Sequence, residues 1–213
     1  MSNILKIISS APLSAKFGML VVLIYSIVAI FAPFIAPYGE REILGRSFEL
    51  WSEKYPLGTD NLGRDMLSRM IFGARNTIGL ALSITILAFL LGSLTGMIAA
   101  ALGGWVDQIL SRIVDVLMSI PSLIFALLIL SIFGTSVPYL IATITVIDAT
   151  RVFRLARATA MNVVVMDYVE VARVRGEKLD WVIRKEILPN ITAPLLAEFG
   201  LRFCFVFLVI SAL

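Results

Sequence analysis

The sequence predicts an all-α protein, a polytopic bundle of membrane-spanning helices. Of its 213 residues, 59% are hydrophobic and 15% are charged, whereas soluble domains have roughly 45–50% apolar residues. Crossing a hydrocarbon core about 30 Å thick takes roughly 20 mostly apolar residues, and the apolar residues cluster in runs near that length. The five runs are residues 17–37, 78–102, 117–133, 137–149 and 191–213.

The first apolar stretch is expected to remain in the protein as a membrane anchor. Residues 1–14 lack the short apolar core and the small-residue cleavage site of a secretory signal. We therefore divide the chain into an N-terminal arm, residues 1–16, and one membrane domain, residues 17–213. The polar connections 38–76 and 151–190 are each too short to build a sizeable core of their own.

The stretches differ in how well their length fits a membrane. The first, second and fifth are long enough to span alone, and the third is marginal. The fourth has only 13 residues. We expect its helix to continue past Arg151, whose long side chain can reach the membrane interface.

Four small residues recur at four-residue steps along the second stretch: Ala88, Gly92, Gly96 and Ala100. This spacing places them on one side of a helix, where they allow another helix to approach closely. The neighbour could belong to this chain or to a partner subunit, and we favour packing within this chain.

A break and an amphipathic helix are predicted between the second and third stretches. Gly103 and Gly104 interrupt the helical pattern, and apolar and charged residues then alternate at helical spacing over residues 105–119. This pattern indicates a helix in the membrane interface. Pro121 is expected in the first turn of the third span, where its missing N–H costs little.

The distribution of Lys and Arg predicts the orientation, because an excess of these residues marks the cytoplasmic side. Residues 151–190 carry eight of them, and the N-terminal arm adds Lys6 and Lys16. We expect both segments to be cytoplasmic. Residues 38–76 are then external, and their six basic residues are balanced by six carboxylates.

Residues 168–190 are too polar to span and too regular to be an unstructured loop. They predict two short helices, the first capped by Asp167 and ended by Gly176 in a left-handed conformation. The first helix has apolar Tyr168, Val171, Ala172 and Val174. The second, residues 178–186, has apolar Leu179, Trp181, Val182 and Ile183 and should end at Pro189. Such a hairpin fits a groove on another protein.

Six residues of this segment resemble, in order and spacing, the EAA signature of bacterial ABC-importer permeases: glutamate-x-alanine, then glycine, then isoleucine-leucine-proline. They are Glu170, Ala172, Gly176, Ile187, Leu188 and Pro189. Val171 stands where that family usually has alanine. The resemblance implies that the segment is the coupling region, which docks on an ATP-hydrolysing subunit, with these six residues and Trp181 as its ATPase-coupling residues.

A second stretch is similar to a narrower group. PLGTDNLGRDMLSR at residues 56–69, followed by FGAR at 72–75, resembles one of the two permease chains, the C-type, of dipeptide, oligopeptide and nickel importers. GWVD at 104–107 and Ile120-Pro121 are also similar, so the resemblance covers nearly the whole chain. Taken without it, Thr59 or Asp60 can cap a short helix, and Asp60, Arg64 and Asp65 can form a solvated ion-pair cluster.

The resemblance implies the fold, location and partners of the chain. It implies an ABC importer type I permease-like bundle, multi-pass in the bacterial inner membrane, that imports peptides or similar small solutes. The implied partners are a second homologous permease chain, two ATP-binding ATPase subunits and an extracytoplasmic solute-binding protein. ATP and magnesium would be bound by the ATPase partner, and no cofactor is expected in this chain, which shows no Gly-rich phosphate loop with its lysine. Members usually have six spans, so we expect the sixth to be missing from these 213 residues.

Several function classes are disfavoured by composition. With no His and one cysteine, Cys204, the chain can form neither an internal disulfide nor the usual His- or Cys-rich metal site. A net charge of +3, carried near helix ends, makes nucleic acid an unexpected partner. No catalytic carboxylate pair or nucleophile–base arrangement indicates an enzyme. Import of nickel, opines or sugars, or an ATPase-independent channel or scaffold, remain as alternatives.

Three ionisable residues within the apolar stretches attract attention because such groups are costly in a membrane. Glu198 and Arg202 are four residues apart and are expected to form a structural pair on one helix face. Asp148 can reach Arg151 one turn further along, and we expect a structural role there too.

Overall fold

A computed structural model of the chain, which describes residues 12–212, is almost entirely helical, with no strand beyond one isolated bridge in that part. The helices are α1 (Leu13–Ile30), α2 (Ala32–Ile35), α3 (Met66–Leu102), α4 (Gly104–Ser119), α5 (Ser122–Phe133), α6 (Val137–Val164), α7 (Asp167–Val174), α8 (Leu179–Val182) and α9 (Leu188–Ala212), with a π-helical turn at Ile183–Ile187 between α8 and α9. The all-α prediction is confirmed. Most of the predicted N-terminal arm, including Lys6, lies outside the described residues, as does Leu213.

Within the described residues, three helices are long and apolar enough to cross a membrane: α1, α3 and the continuous helix Leu179–Ala212. A fourth crossing results if α4 and α5 count as one span, although they meet at a bend of 87°. The predicted fourth span lies in α6, which continues well past Arg151 as expected. It is not among these helices because Asp148, Arg151 and Arg154 fall in its middle turns.

The predicted third span, residues 117–133, is broken. Its first residues belong to α4, the backbone is extended at Ile120 (φ −90°, ψ 128°), and the 12-residue α5 begins at Ser122. A residue before proline avoids the helical conformation, which explains the break at Ile120. Pro121 therefore immediately precedes α5 and does not lie in its first turn.

The chain divides into two compact units, Met1–Gly79 and Leu80–Leu213, with the boundary inside α3. In the first unit, Asp60 is buried and lies 2.7 Å from both Arg64 Nη2 and Arg69 Nη1. Asp65 does not join these ion pairs. Its Oδ2 accepts hydrogen bonds from the Ser68 backbone N–H (2.8 Å) and hydroxyl (2.7 Å), so Asp65 is the residue that caps α3.

In the second unit, α3 and α6 pack closely along the stripe of small residues. A Cβ atom added at Gly92 would lie 2.5 Å from the Ala149 carbonyl oxygen, and one at Gly96 would lie 2.7 Å from the Phe153 carbonyl oxygen. Only glycine permits this approach. The neighbour is thus a helix of the same chain, which confirms the interpretation favoured from the sequence.

Candidate functional site

The predicted coupling segment forms a helical hairpin, residues 167–187, within the second unit. Its first arm, α7, ends in a Schellman turn: Gly176 N–H donates to the Arg173 carbonyl (3.0 Å), and Glu177 N–H donates to the Ala172 carbonyl (3.1 Å). Gly176 has φ +81°, the left-handed conformation predicted from the sequence. An added Cβ there would have no atom within 4 Å, so the constraint on this residue comes from its backbone conformation alone.

The apolar positions of α7 differ from those predicted. Val169 and Ala172 are fully buried, whereas Tyr168, Val171 and Val174 are exposed. The three exposed residues therefore form an apolar face that points outward. The two buried residues hold α7 against the rest of the chain. The cap also differs, because Asp167 is already the first helical residue and no side chain caps the turn.

The second arm runs directly into α9. Val182, Ile183 and Ile187 are buried, and Leu188 N–H bonds to the Ile183 carbonyl in the π-helical pattern. The prediction that Pro189 ends this helix is wrong. The π-helical turn is followed at once by α9, and the helix continues through Pro189, in the first turn of α9, to Ala212. The two arms of the hairpin are thus joined to the rest of the chain in different ways. The first arm, α7, is separated from α6 by a short turn, whereas the second arm continues into α9 as one unbroken helix.

The inner side of the hairpin is part of the largest apolar core among the described residues. Buried residues of both arms pack with buried residues of α3, α6 and α9: Met97, Ala100, Ala101, Ala156, Ala160, Val169, Ala172, Val182, Ile183, Ile187, Ile191 and Leu195. Arg173 adds a polar link, because its Nη2 donates to the Ala101 carbonyl at 2.7 Å, in the last turn of α3. A cation at a helix C-terminus satisfies a carbonyl that has no partner in its own helix.

The outer side of the hairpin carries a cleft of about 320 Å³. It combines apolar walls with charged residues, and its lining is Tyr168, Val171, Ala172, Arg175, Glu177, Trp181 and Glu186. Exposed apolar side chains surrounded by charges are typical of a surface that binds another protein.

The seven predicted coupling residues fall into two groups. Ala172 and Ile187 are buried and Gly176 forms the turn, so these three build the hairpin. Glu170, Leu188 and Pro189 are exposed, and Trp181 is half-buried beside the cleft. The sequence did not indicate Val169 or Arg173, which hold α7 against the core.

Ion pairs join the amphipathic helix to α6. The Arg157 guanidinium makes a two-pronged contact with the Asp107 carboxylate, and Arg154 Nη2 lies 2.7 Å from Asp115 Oδ1. The predicted helix at residues 105–119 is confirmed as α4, and both its acidic residues, Asp107 and Asp115, and its buried Val114 lie toward α6.

The charged residues within the predicted spans also form a network. Arg151 Nη1 lies 3.2 Å from Asp148 Oδ1, and Arg202 Nε lies 2.6 Å from Glu198 Oε1, so both predicted pairs are confirmed. Arg202 Nη1 also lies 3.7 Å from Asp148 Oδ1, which links α9 to α6. Within residues 12–212, no group of three or more Asp, Glu, Cys or His side chains could hold a metal ion.

Comparison with protein families gives two matches. The model described as "Binding-protein-dependent transport system inner membrane component" matches residues 92–213, more than half of the chain. The model described as "N-terminal TM domain of oligopeptide transport permease C" matches residues 14–46.

Curated relatives are similar along most of the chain. The dipeptide transport system permease protein DppC of Haemophilus influenzae is 34% identical over 191 residues, which cover 86% of this chain and 65% of the relative. The di/tripeptide transport system permease protein DppC of Pseudomonas aeruginosa is 33% identical over 204 residues, 92% of this chain and 67% of the relative. The peptide transport system permease protein SapC of Escherichia coli is 32% identical over 195 residues. The chain spans about two thirds of the length of these relatives.

Proposed function

The chain belongs to the family of inner membrane components of binding-protein-dependent transport systems, and from that membership we propose that it is one transmembrane subunit of an ATP-driven importer for peptides or similar small solutes. The solute class is taken from relatives that are named as dipeptide, di/tripeptide and peptide permeases. This chain forms part of the translocation path and is not itself an enzyme.

The observation that carries the proposal is the two-sided hairpin at residues 167–187. Its outer side offers a cleft that combines apolar walls with charged residues, which suits a protein partner. Its inner side is packed against three long helices. A partner that moves the hairpin would therefore move those helices with it, because a close-packed interior transmits displacement.

Two routes lead from the hairpin into the membrane helices. The second arm is continuous with α9, so a push on Trp181 acts along one helix, Leu179–Ala212. The first arm is tied to the end of α3 by the bond from Arg173 to the Ala101 carbonyl. These routes support a coupling role for Glu170, Ala172, Gly176, Trp181, Ile187, Leu188 and Pro189.

The partners follow from the importer assignment. They are a second homologous permease chain, two ATPase subunits that bind and hydrolyse ATP with magnesium, and an extracytoplasmic solute-binding protein. The hairpin must face the cytoplasm, where ATP is available. That orientation agrees with the basic residues of segment 151–190 and places the N-terminus on the same side.

Co-purification of the chain with its partners tests the proposal. Val171→Arg places a charge in the cleft and should remove the ATPase subunits while the second permease chain remains bound. Val174→Arg is the matched control, because Val174 lies on the same helix, is more exposed, and does not line the cleft. Retention of ATPase subunits by Val171→Arg, or their absence from the wild-type particle, would contradict the docking role and favour a channel or scaffold.

Uptake by reconstituted vesicles defines the solute. We expect ATP-dependent uptake of a dipeptide supplied with its binding protein. A panel of nickel, opine and sugar solutes distinguishes the alternatives, and ATP-driven uptake of one of these in place of peptides would replace the peptide assignment.

A further inference from the structure

A second polar feature lies away from the hairpin at residues 167–187, where α6 and α9 carry four ionisable side chains. Asp148 is buried at the centre, 3.2 Å from Arg151 and 3.7 Å from Arg202, and Arg202 also contacts Glu198 at 2.6 Å. Two guanidinium groups thus balance two carboxylates. Ionised residues in spanning helices are costly and often mark a solute path.

The two arginines have different surroundings. Arg202 is enclosed, with 15% of its side chain exposed, and is shared by both carboxylates. Arg151 has 38% of its side chain exposed, and the structure gives it one acceptor among the described residues, Asp148, through Nη1. One edge of its guanidinium is therefore available to a further acceptor.

Arg151 lines two small cavities near the break between α4 and α5. Their volumes are about 130 Å³ and about 60 Å³, and both are lined by Ser122, Ile147 and Arg151. Most of the other lining residues are apolar, including Phe125 in the larger cavity and Val209 in the smaller one, but Thr150 also lines the larger cavity and Asp148 lines the smaller one, so the larger cavity is the one that suits an anionic group. Space of this size admits the end group of a solute and not a whole peptide.

The Arg151 guanidinium in these cavities indicates a carboxylate as the ligand. A guanidinium presents parallel N–H donors that match the two oxygens of a carboxylate, and this pairing is stronger where apolar walls exclude water. From this geometry we propose that Arg151, with the Ser122 hydroxyl beside it, binds the carboxylate of the transported solute. The proposal rests on the proposed function, since it places this site on the solute path.

The remaining charges allow Arg151 to change partner. If its guanidinium turns toward an incoming carboxylate, Asp148 keeps Arg202 at 3.7 Å as a counter-charge. The buried carboxylate is then not left uncompensated, which would otherwise be expensive.

A thiol-protection experiment tests the site without requiring transport. Ile147→Cys in a Cys204→Ser background introduces one thiol at the wall shared by both cavities and leaves Arg151 and Ser122 in place. The full-length chain is purified in its membrane complex, and the rate of maleimide labelling is measured with 100 mM propionate or 100 mM propionamide. We expect propionate to slow labelling roughly fivefold and propionamide to have no effect, as a dissociation constant of about 25 mM would give.

Variants of two nearby arginines decide the interpretation. Arg151→Gln should abolish the protection by propionate. Arg154→Gln should retain it, because Arg154 lies on the same helix and pairs with Asp115 outside both cavities. Equal labelling with both compounds in the Arg151 protein, or protection that survives Arg151→Gln, would overturn the site. Neither result would bear on the importer assignment, which depends on uptake and co-purification.

Discussion

Gly176 is the residue on which the geometry of the hairpin at residues 167–187 depends most directly. Its φ of +81° costs a residue with a side chain roughly 1–2 kcal/mol, and more for a β-branched one. Gly176→Val should therefore change the angle between the two arms. We expect normal membrane insertion and normal pairing with the second permease chain, with loss of solute uptake and either loss of the ATPase subunits or ATP hydrolysis that no longer responds to loaded binding protein.

Gly176→Asn is the matched control, because asparagine tolerates the left-handed conformation better than other side chains. No neighbouring atom opposes its Cβ, so most of the uptake should return. Wild-type uptake by Gly176→Val at equal membrane abundance would remove the coupling role from the turn.

The stability of the folded segment before α3 should depend on pH because of Asp60. Burial alone would raise the pKa of this carboxyl, but hydrogen bonds from the Arg64 and Leu62 backbone N–H groups and from the Arg64 guanidinium outweigh it and lower the pKa to about 2. A folded-state pKa below the unfolded value, about 3.9, stabilises the segment above that value, and the effect is lost as pH falls toward 2.

Hydrogen exchange of residues 44–65 measures this effect. After correction for the intrinsic rate, protection should stay constant from pH 8 to pH 5 and decrease below about pH 4. Asp60→Asn should show reduced protection at every pH, without the decrease below about pH 4 that is expected for the wild type. A wild-type profile that is flat down to pH 2 would rule out Asp60 as the cause.

Some side-chain contacts were predictable and others were not. The pairs Asp148–Arg151 and Glu198–Arg202 follow from helical spacing, because residues three or four apart share a face. The contacts Arg202–Asp148 and Arg173–Ala101 join residues 54 and 72 positions apart. No local pattern encodes such a contact, since it depends on which helices pack together.

The contact between α3 and α6 is the element-scale feature that most limits substitution. Gly96→Val would place a Cβ 2.7 Å from the Phe153 carbonyl oxygen, which is backbone and cannot move aside without displacing α6. Overpacking of this kind costs roughly 1–3 kcal/mol or more. We expect a lower thermal-unfolding midpoint and a smaller yield of assembled complex.

Gly200→Val provides the comparison, because Gly200 is also helical and a Cβ there meets no atom within 4 Å. Thermal unfolding followed by size-exclusion chromatography should separate the two variants. Equal midpoints would show that α3 and α6 do not require the close approach.

The link between α7 and α3 can be tested in the same way. Arg173→Gln removes a charge-assisted hydrogen bond to the Ala101 carbonyl, so hydrogen exchange in residues 167–175 should become several-fold faster. Arg175→Gln lies on the outer cleft and should leave the exchange rate unchanged. Equal rates in the two variants would indicate that the apolar core alone holds the hairpin.

Two errors in the predicted elements have physical causes. Pro189 was expected to end the second arm, but it lies directly after the π-helical turn Ile183–Ile187, where the backbone hydrogen bonds already depart from the usual α-helical pattern, so the continuous helix Leu179–Ala212 tolerates a residue without an N–H. The third stretch was treated as one span because its apolar residues are continuous, yet proline at 121 keeps Ile120 extended. The hydropathy of a stretch depends only on its amino-acid composition, so it does not reveal a bend in the backbone.

At the scale of the whole molecule, the all-α class followed from composition together with the length of the apolar runs, and the family followed from two motifs. The match over residues 92–213 and relatives at 32–34% identity confirm the resemblance that the EAA-like segment and residues 56–69 indicated. Physical reasoning on the hairpin predicted a docking surface, and the structure adds the separation into a buried inner side and an exposed outer cleft. The identity of the docking partner came only from the resemblance.

The orientation of the whole chain is the prediction on which the proposed coupling role of the hairpin depends. Segment 151–190 carries eight basic residues against five carboxylates, whereas segment 38–76 carries six of each. Because segments with an excess of basic residues remain on the cytoplasmic side, the hairpin should lie in the cytoplasm and the segment around Asp60 should lie outside the cell membrane. Single cysteines at two exposed positions, Glu53→Cys and Lys178→Cys, report the two sides in a Cys204→Ser background, since Cys204 is itself exposed. An impermeant maleimide added to intact cells should label Glu53→Cys at once and Lys178→Cys only after permeabilisation. The reverse pattern would place the hairpin away from ATP, and no ATPase-coupling role could then be assigned to it.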